Sequence, residues 1–316
     1  MFMRVKNIAV ILLSVSLLVG CNMPWEGLVE QTETESFAPE LEETAADGEA
    51  ASPTEEVQDL AAVHDLSVNP CDNVFYPLVP GSQWVYKINT NSAEEMATPD
   101  PNDNSNQIGL SVASVDDGKA TVDSLHISSG VITQTIVECE NGAIKNFPLL
   151  ALSIIFGEQV NGSVQTEYQD GVFVPSQTEL VDRGWADTWS GNYILKGNFE
   201  AQDEEDQLVL TIHDSPIHLN WETQGVHEAV EVPAGNFPNA IRVEREAEMN
   251  ISAQFDSDGE TLNVDAILSF KNTLWYEPYV GLLKQDIHDV NVKFRGMSFP
   301  AMVTGSVELL EYRPAD

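Results

Sequence analysis

Positive charge is what this sequence has least of. Lys and Arg number 14 against 51 Asp and Glu, giving a formal net charge of −37 at pH 7 over 316 residues. Such a surface repels phosphate backbones and anionic headgroups, so nucleic acid is excluded as a partner. Cysteine is nearly absent too, with three in the whole chain. No C-x-x-C pair, H-E-x-x-H helix or phosphate-cradling glycine loop occurs, which removes the common zinc, redox and nucleotide chemistries. Apolar runs are short: residues 8–18 and 148–157 both fall below the roughly 20 that a membrane-crossing helix needs. No stripe of period 3.6 persists beyond a couple of turns except at 147–156, which reads equally well as buried helix or buried strand. The chain is not a helical bundle.

What is present begins with a leader. Arg4 and Lys6 precede the apolar run 8–18, and Leu18-Val19-Gly20-Cys21 closes it. A basic start, a short apolar core and a small residue before the cut describe a secretory signal peptide, removed on export. The stretch ending in Cys21 resembles the lipobox of bacterial lipoproteins. That resemblance implies cleavage before Cys21, a thioether-linked diacylglycerol on its sulfur and a further palmitate-type acyl chain on the new amino terminus. Two or more chains anchor stably, because each buried methylene contributes about 0.8 kcal/mol. Residues 1–20 are therefore expected to be a lipoprotein signal peptide, and the protein to sit outside the cytoplasm on the bacterial cell membrane.

Residues 21–70 are expected to form a disordered acidic tether behind the lipidated cysteine. Between Asn22 and Pro70 there are thirteen Asp and Glu and no Lys or Arg. With little apolar surface to offset ordering entropy, and with charges that repel one another, the segment extends rather than folds. A short helix at 54–62 would not change this. The remaining chain still carries 38 acidic against 12 basic residues, a balance that favours solubility and tolerates divalent cations.

From Cys71 to Asp316 the pattern is a single all-β domain with minor helix. Residues 83–89 alternate apolar and polar with period two. Residues 108–115 and 120–127 flank Asp117-Gly118, and 131–139 and 143–147 flank Asn141-Gly142. Both are hairpin signals, because a type I′ turn needs positive φ at its two central residues. Further strands are expected at 208–213, 217–221, 228–232, 240–246, 249–255, 262–270, 281–287, 290–294 and 303–312. A run of hairpins this long implies a large antiparallel sheet, twisted and curled on itself, apolar on its concave side and acidic on its convex side. A barrel, a half-barrel and a two-sheet sandwich all fit that pattern. A curled sheet can enclose a lipophilic ligand, although a filled core is the plainer expectation.

Cys21 being taken by lipid, Cys71 and Cys139 remain as an even pair in an oxidising compartment. They are expected to form a disulfide, with two buried free thiols as the alternative. For catalysis nothing assembles. Gly296-Met297-Ser298-Phe299-Pro300 is a G-x-S-x-G motif without its last glycine. His213 and His218, around Asp214-Ser215-Pro216, read as a short turn that cannot make a triad alone. They are surface residues more readily than metal ligands. The chain is expected not to be an enzyme and to carry no cofactor or metal. Residues 100–106 and 256–260 gather oxygen ligands of the kind calcium takes, yet neither keeps a full twelve-residue loop. Trp185, Trp189 and Trp221 lack the spacing of an aromatic ligand platform.

Two stretches resemble a group of largely uncharacterised bacterial extracytoplasmic lipoproteins, some labelled TapB-like. Residues 76–86 (YPLVPGSQWVY) are similar to that group's Y-P-L-x-x-G-x-x-W-x-Y opening. Residues 232–237 (VPAGNF), with Trp275-Tyr276 and Val280-Gly281-Leu282-Leu283-Lys284, are similar to its V-P-A-G-x-F and W-Y-x-x-G-V-G-L-x-K elements. Tyr279 stands where the pattern has glycine, which suggests a differently built turn. The resemblance implies an all-β domain related to the open half-barrels of lipoprotein carriers, and no enzyme activity. Physically, Trp84, Tyr86, Phe237 and Trp275 are large anchors expected to pack near one another. The expected function is that of a non-catalytic binding module for a lipophilic ligand or an envelope protein. An envelope-structural or adhesion module without a small ligand, assisted by calcium, is the alternative.

Overall fold

The computed structural model describes residues 69–91, 106–127, 130, 132–146, 161–185, 187–202, 207–257, 260–300 and 304–315. The leader, Cys21, the acidic segment, the 147–156 run and residues 100–105 of the first oxygen-rich stretch lie outside them. Within them the chain is a single antiparallel sheet of thirteen strands that curls without closing.

The strands are β1 (Gln83–Asn91), β2 (Gln107–Asp116), β3 (Lys119–His126), β4 (Ile132–Glu140), β5 (Ala143–Ile144), β6 (Asn161–Gly171) and β7 (Thr188–Gln202). They continue with β8 (Gln207–Val232), β9 (Gly235–Ser257), β10 (Glu260–Glu277), β11 (Gly281–Phe294), β12 (Met297–Pro300) and β13 (Thr304–Arg313). Across the sheet the order is β5-β4-β3-β2-β1-β13-β11-β10-β9-β8-β7-β6, with β12 paired to β11. Nearly every neighbour in space is a neighbour in sequence, as hairpins produce. The exception is β13, which inserts between β1 and β11 and so joins the first half of the sheet to the second.

Both glycine turns form as type I′ hairpins. Asp117 and Gly118 have φ 45° and 71°, and Asn141 and Gly142 have 52° and 80°. The second hairpin is shorter than the 143–147 strand expected. Beyond Ile144 the side chain of Asn146 takes over the edge of β4, accepting from Glu138 N and donating to Ile136 O at 2.6 Å each. The strands expected at 208–213, 217–221 and 228–232 are one strand, β8, 26 residues long. Likewise 240–246 and 249–255 merge into β9, and 281–287 and 290–294 into β11. The interruptions in β8 and β11 are bulges rather than turns, whereas β9 passes through Ala247 and Glu248 in unbroken register. The register of β8 on β9 slips between Ile212 and Ile217, and that of β11 slips opposite Ser269/Lys271 at Asp289, whose φ is 54°. A bulge inserts polar residues out of phase and bends the strand without ending it. His213-Asp214-Ser215-Pro216 is thus a bulge in mid-strand, a place where a sheet tolerates proline.

β6, β7 and the helix α1 (Gln177–Asp182) have no counterpart in the strands expected from sequence. β6 is an edge strand of polar residues with almost no apolar alternation. Helix α1 has a complete capping box: Ser176 Oγ accepts from Glu179 N, and Glu179 accepts from Ser176 N. That S-x-x-E pattern is readable in the sequence, but six residues are too few for a periodic signal.

The curl brings the two ends of the strand order together. After β6 the chain crosses to β5, where Ile144 N donates to Val174 O at 2.9 Å and Phe173 N to Ile144 O at 2.8 Å. Segment 172–176 therefore straps one end of the open side. Inside, apolar side chains from all around the sheet make one core: along β9, Ile241, Val243, Ala247, Met249 and Ala253 face in, while Glu244, Glu246, Glu248 and Asn250 face out.

Candidate functional site

The segment before β1 plugs the strapped end. Asn73, fully buried, holds it by both ends of its amide. Its nitrogen donates to Gly142 O at 2.6 Å and Pro175 O at 2.8 Å, and its oxygen accepts from Phe75 N and Tyr76 N. A disulfide joins Cys71 in this plug to Cys139 in β4, with Cα atoms 5.1 Å apart. Phe75 then reaches inward and stacks on Tyr276, ring centroids 4.7 Å apart. Trp84 Nε1 donates to Val280 O, and Tyr86 OH donates to Leu282 O, tying β1 to the β10–β11 turn. In that turn Tyr279, at the position where the lipoprotein pattern has glycine, has φ 62°. It takes the left-handed conformation that glycine takes freely, at a steric cost of about 1–2 kcal/mol. The turn is thus not rebuilt around the tyrosine; the tyrosine is held in the conformation suited to glycine.

Behind the plug sits a group that the apolar pattern does not call for. Arg245 is 1% exposed, on the core face of β9. Opposite it in register on β10 is Asn272, 1% exposed, and one strand further, on β11, lies Gln285, 2% exposed. With the Asn272 amide oriented to meet its neighbours, its oxygen accepts from Arg245 Nη2 at 2.6 Å and Gln285 Nε2 at 2.7 Å. Its nitrogen donates to Lys271 O at 2.9 Å. Among the described residues Arg245 Nε has no partner. Burial pulls the guanidinium below its ordinary range, while Tyr276 and Tyr76 nearby oppose that shift. Among the described residues no carboxylate pairs with it.

Arg245, Gln285, Tyr76, Tyr86 and Trp84 contribute polar groups to the residues lining a cavity of about 50 Å³, walled otherwise by apolar side chains from both halves of the sheet, among them Leu110, Val137 and Val307, and by Phe173 of the strap. Ligand pockets for drug-sized molecules run to roughly 300–1,000 Å³. This one holds a few waters or one small ion, not an acyl chain.

All three polar residues are legible in principle. Arg245 is in phase with Val243 and Ala247, Asn272 with Phe270 and Leu274, and Gln285 with Leu283 and Ile287. Each is a polar residue at an inward position of its strand, on three adjacent strands. What the sequence hides is the register that aligns them.

The other candidates lie apart. His213 is exposed, and His218 Nδ1 faces Asn192 Oδ1 at 2.6 Å. Ser298 Oγ donates to Asn291 Oδ1 at 2.6 Å rather than to a base. Ser257 and Glu260 pair across a hairpin at 256–260, of which residues 258–259 lie outside the described set. Trp189 and Trp221 stack at 6.0 Å within the core, and Trp185 packs on Phe75. Of the four anchors, Trp84 stacks on Tyr312, whereas Trp275 turns to the other face of β10, with Lys284 over its ring. Strand alternation separates Trp275 from its inward neighbour Tyr276.

Burial raises the hydroxyl pKa of Tyr86 and Tyr276 well above the usual value, and that of Tyr76 upward. A group whose folded pKa is raised favours folding fully below its unfolded value, near 10, and loses that contribution as pH climbs toward the folded value. The urea midpoint is therefore expected to hold level up to about pH 10 and fall above it. Tyrosinate absorbance from these three rings should appear with unfolding rather than before it. Early, reversible ionisation of the buried rings in the folded protein would contradict the plugged interior.

No family model matches the chain, and no curated protein matches it. Two solved structures are similar in outline. One is a nominal lipoprotein from Parabacteroides distasonis, 14% identical, over 76% of this chain and 99% of that one, with a TM-score of 0.40. The other is a nominal exported protein with a YmcC-like fold from Bacteroides fragilis, 12% identical, over 77% and 100%, with a TM-score of 0.39. Likeness at that level assigns this chain neither a family nor a ligand.

Proposed function

We propose that the chain is a lipid-anchored extracytoplasmic lipoprotein whose curled sheet acts as a non-catalytic binding module. The observation that carries the location is Leu18-Val19-Gly20-Cys21 at the end of a short apolar run behind Arg4 and Lys6. Among the described residues no helix is long and apolar enough to cross a membrane, so the lipid on Cys21 is the attachment this reading requires. A buried disulfide in a chain with so few cysteines accords with an oxidising compartment.

Of the two occupants expected from sequence, a protein partner suits the molecule better than a lipophilic one. The cavity of about 50 Å³ is too small for an acyl chain. The outer face near the β4 edge, by contrast, exposes Leu125, Ile132 and Ile136, with Leu125 opposite Ile132 in register. Apolar side chains grouped on an otherwise acidic surface are where a partner would gain most from contact.

Expression with labelled palmitate tests the anchoring. The wild-type chain is expected to take up label and to partition with membranes. Cys21→Ser should lose label to background and accumulate as the longer precursor. Unprocessed, unlabelled wild-type protein in the cytosolic fraction would end this reading.

A further inference from the structure

We infer that the interior of the curled sheet binds a small monoanion, held by the Arg245 guanidinium beside Asn272 and Gln285. The inference deepens the binding-module reading by naming a ligand class, but it rests on the interior alone.

The argument starts from charge. A guanidinium is always cationic at physiological pH and carries five donors. Arg245 is 1% exposed, has an Nε unpartnered among the described residues, and is met by the oxygen of a neutral amide at 2.6 Å. Burying an ion without an opposite charge costs several kcal/mol, which neutral hydrogen bonds repay only in part. Arginines in cores are therefore paired as a rule. Here the guanidinium borders a cavity whose other polar lining includes the side chains of Gln285, Tyr76 and Tyr86. Tyr86 already donates to Leu282 O, and Gln285 Nε2 places one hydrogen on Asn272. Donors left over at the cavity wall thus include Arg245 and the second Gln285 hydrogen, an arrangement suited to an anion. The volume of about 50 Å³ limits that anion to the size of a halide, formate or acetate. The apolar remainder of the wall excludes hydrated, multiply charged ions, because nothing there replaces their water.

Such an anion has two sources: a free ion, or the carboxylate end of a longer molecule entering past the plug. Thermal unfolding of the full-length chain in detergent, at constant ionic strength, separates them. Sodium gluconate serves as the reference against chloride, formate, acetate, butyrate and hexanoate. Small anions are expected to raise the midpoint saturably, by roughly 3–5 °C at tenfold excess over the dissociation constant. A response ending at acetate identifies a free ion, and one persisting to hexanoate identifies a carboxylate terminus. Arg245→Met, close in length and uncharged, should have a midpoint in gluconate at or above that of the wild type, since it buries no unpaired charge, and should lose the anion response. Chloride resonance line broadening by the wild-type protein, reversed by formate, gives a readout independent of that variant's folding. Equal midpoints in all salts with no line broadening, or an undiminished response in a folded Arg245→Met, would overturn the site. Neither result bears on membrane attachment, which the palmitate experiment decides separately.

Discussion

Removing the Cys71–Cys139 disulfide is expected to lower stability by about 4 kcal/mol, the chain-constraint figure for a loop of this size. The bond closes a sequence separation of 68 residues, so the unfolded chain regains much freedom when it is cut. In the folded state it fastens the plug to the β4–β5 hairpin. Non-covalent ties flank it there: Gly142 N donates to Pro70 O at 3.0 Å, and Asn73 Nδ2 donates to Gly142 O. These ties should preserve native geometry in a Cys71→Ala/Cys139→Ala double variant, so the loss falls on global stability more than on the shape of the plug. For a protein of this size the midpoint should drop by about 10 °C. The same drop should follow reduction of the wild-type protein with dithiothreitol, while the double variant should not respond to reductant. A wild-type midpoint indifferent to reductant would mean that the two cysteines are free thiols.

Phe75→Ala is expected to cost about 3–5 kcal/mol, the range for truncating a buried phenylalanine. Phe75 is 1% exposed, stacks on Tyr276 at 4.7 Å, packs tilted against Trp185 at 5.9 Å, and has its amide held by Asn73. Because its backbone is fixed by that hydrogen bond and by the nearby disulfide, the plug cannot sink to fill the void. The penalty should therefore lie toward the upper end of the range. Phe75→Leu, which restores most of the volume but not the ring contact, should recover more than half of the loss. Denaturant titration reads both, with the slope m unchanged from wild type. A loss below about 1 kcal/mol for the alanine variant would show that the plug is not part of the cooperative core.

The two predictions concern the same few residues because the plug is where local and long-range information meet. Asp117-Gly118 and Asn141-Gly142 announce their hairpins through short-range sterics alone. Asp289 and the 213–216 stretch mislead for the same short-range reason: a polar residue out of phase looks like a turn unless the neighbouring strand is known to continue past it. β6 escapes a pattern-based reading because an edge strand needs no apolar alternation. Tyr279 shows the opposite case, in which distant contacts override local preference. Its amide donates to Val74 O and its carbonyl accepts from Tyr312 OH, and these hold a tyrosine where glycine would sit without strain.

Local chemistry written along the chain is enough to establish an acidic protein of antiparallel hairpins whose amino end reads as a lipoprotein leader. Those properties follow from charge count, side-chain alternation and turn sterics, all of which act over a few residues. Assembly in three dimensions was needed to insert β13 between β1 and β11, to bring the ends of the sheet together across Ile144 and Val174, and to set Arg245 facing Asn272 beside Gln285. Strand order and register depend on which surfaces find one another across a hundred or more residues, and no local rule encodes that choice. A buried arginine becomes visible only when the strands on either side of it are in place.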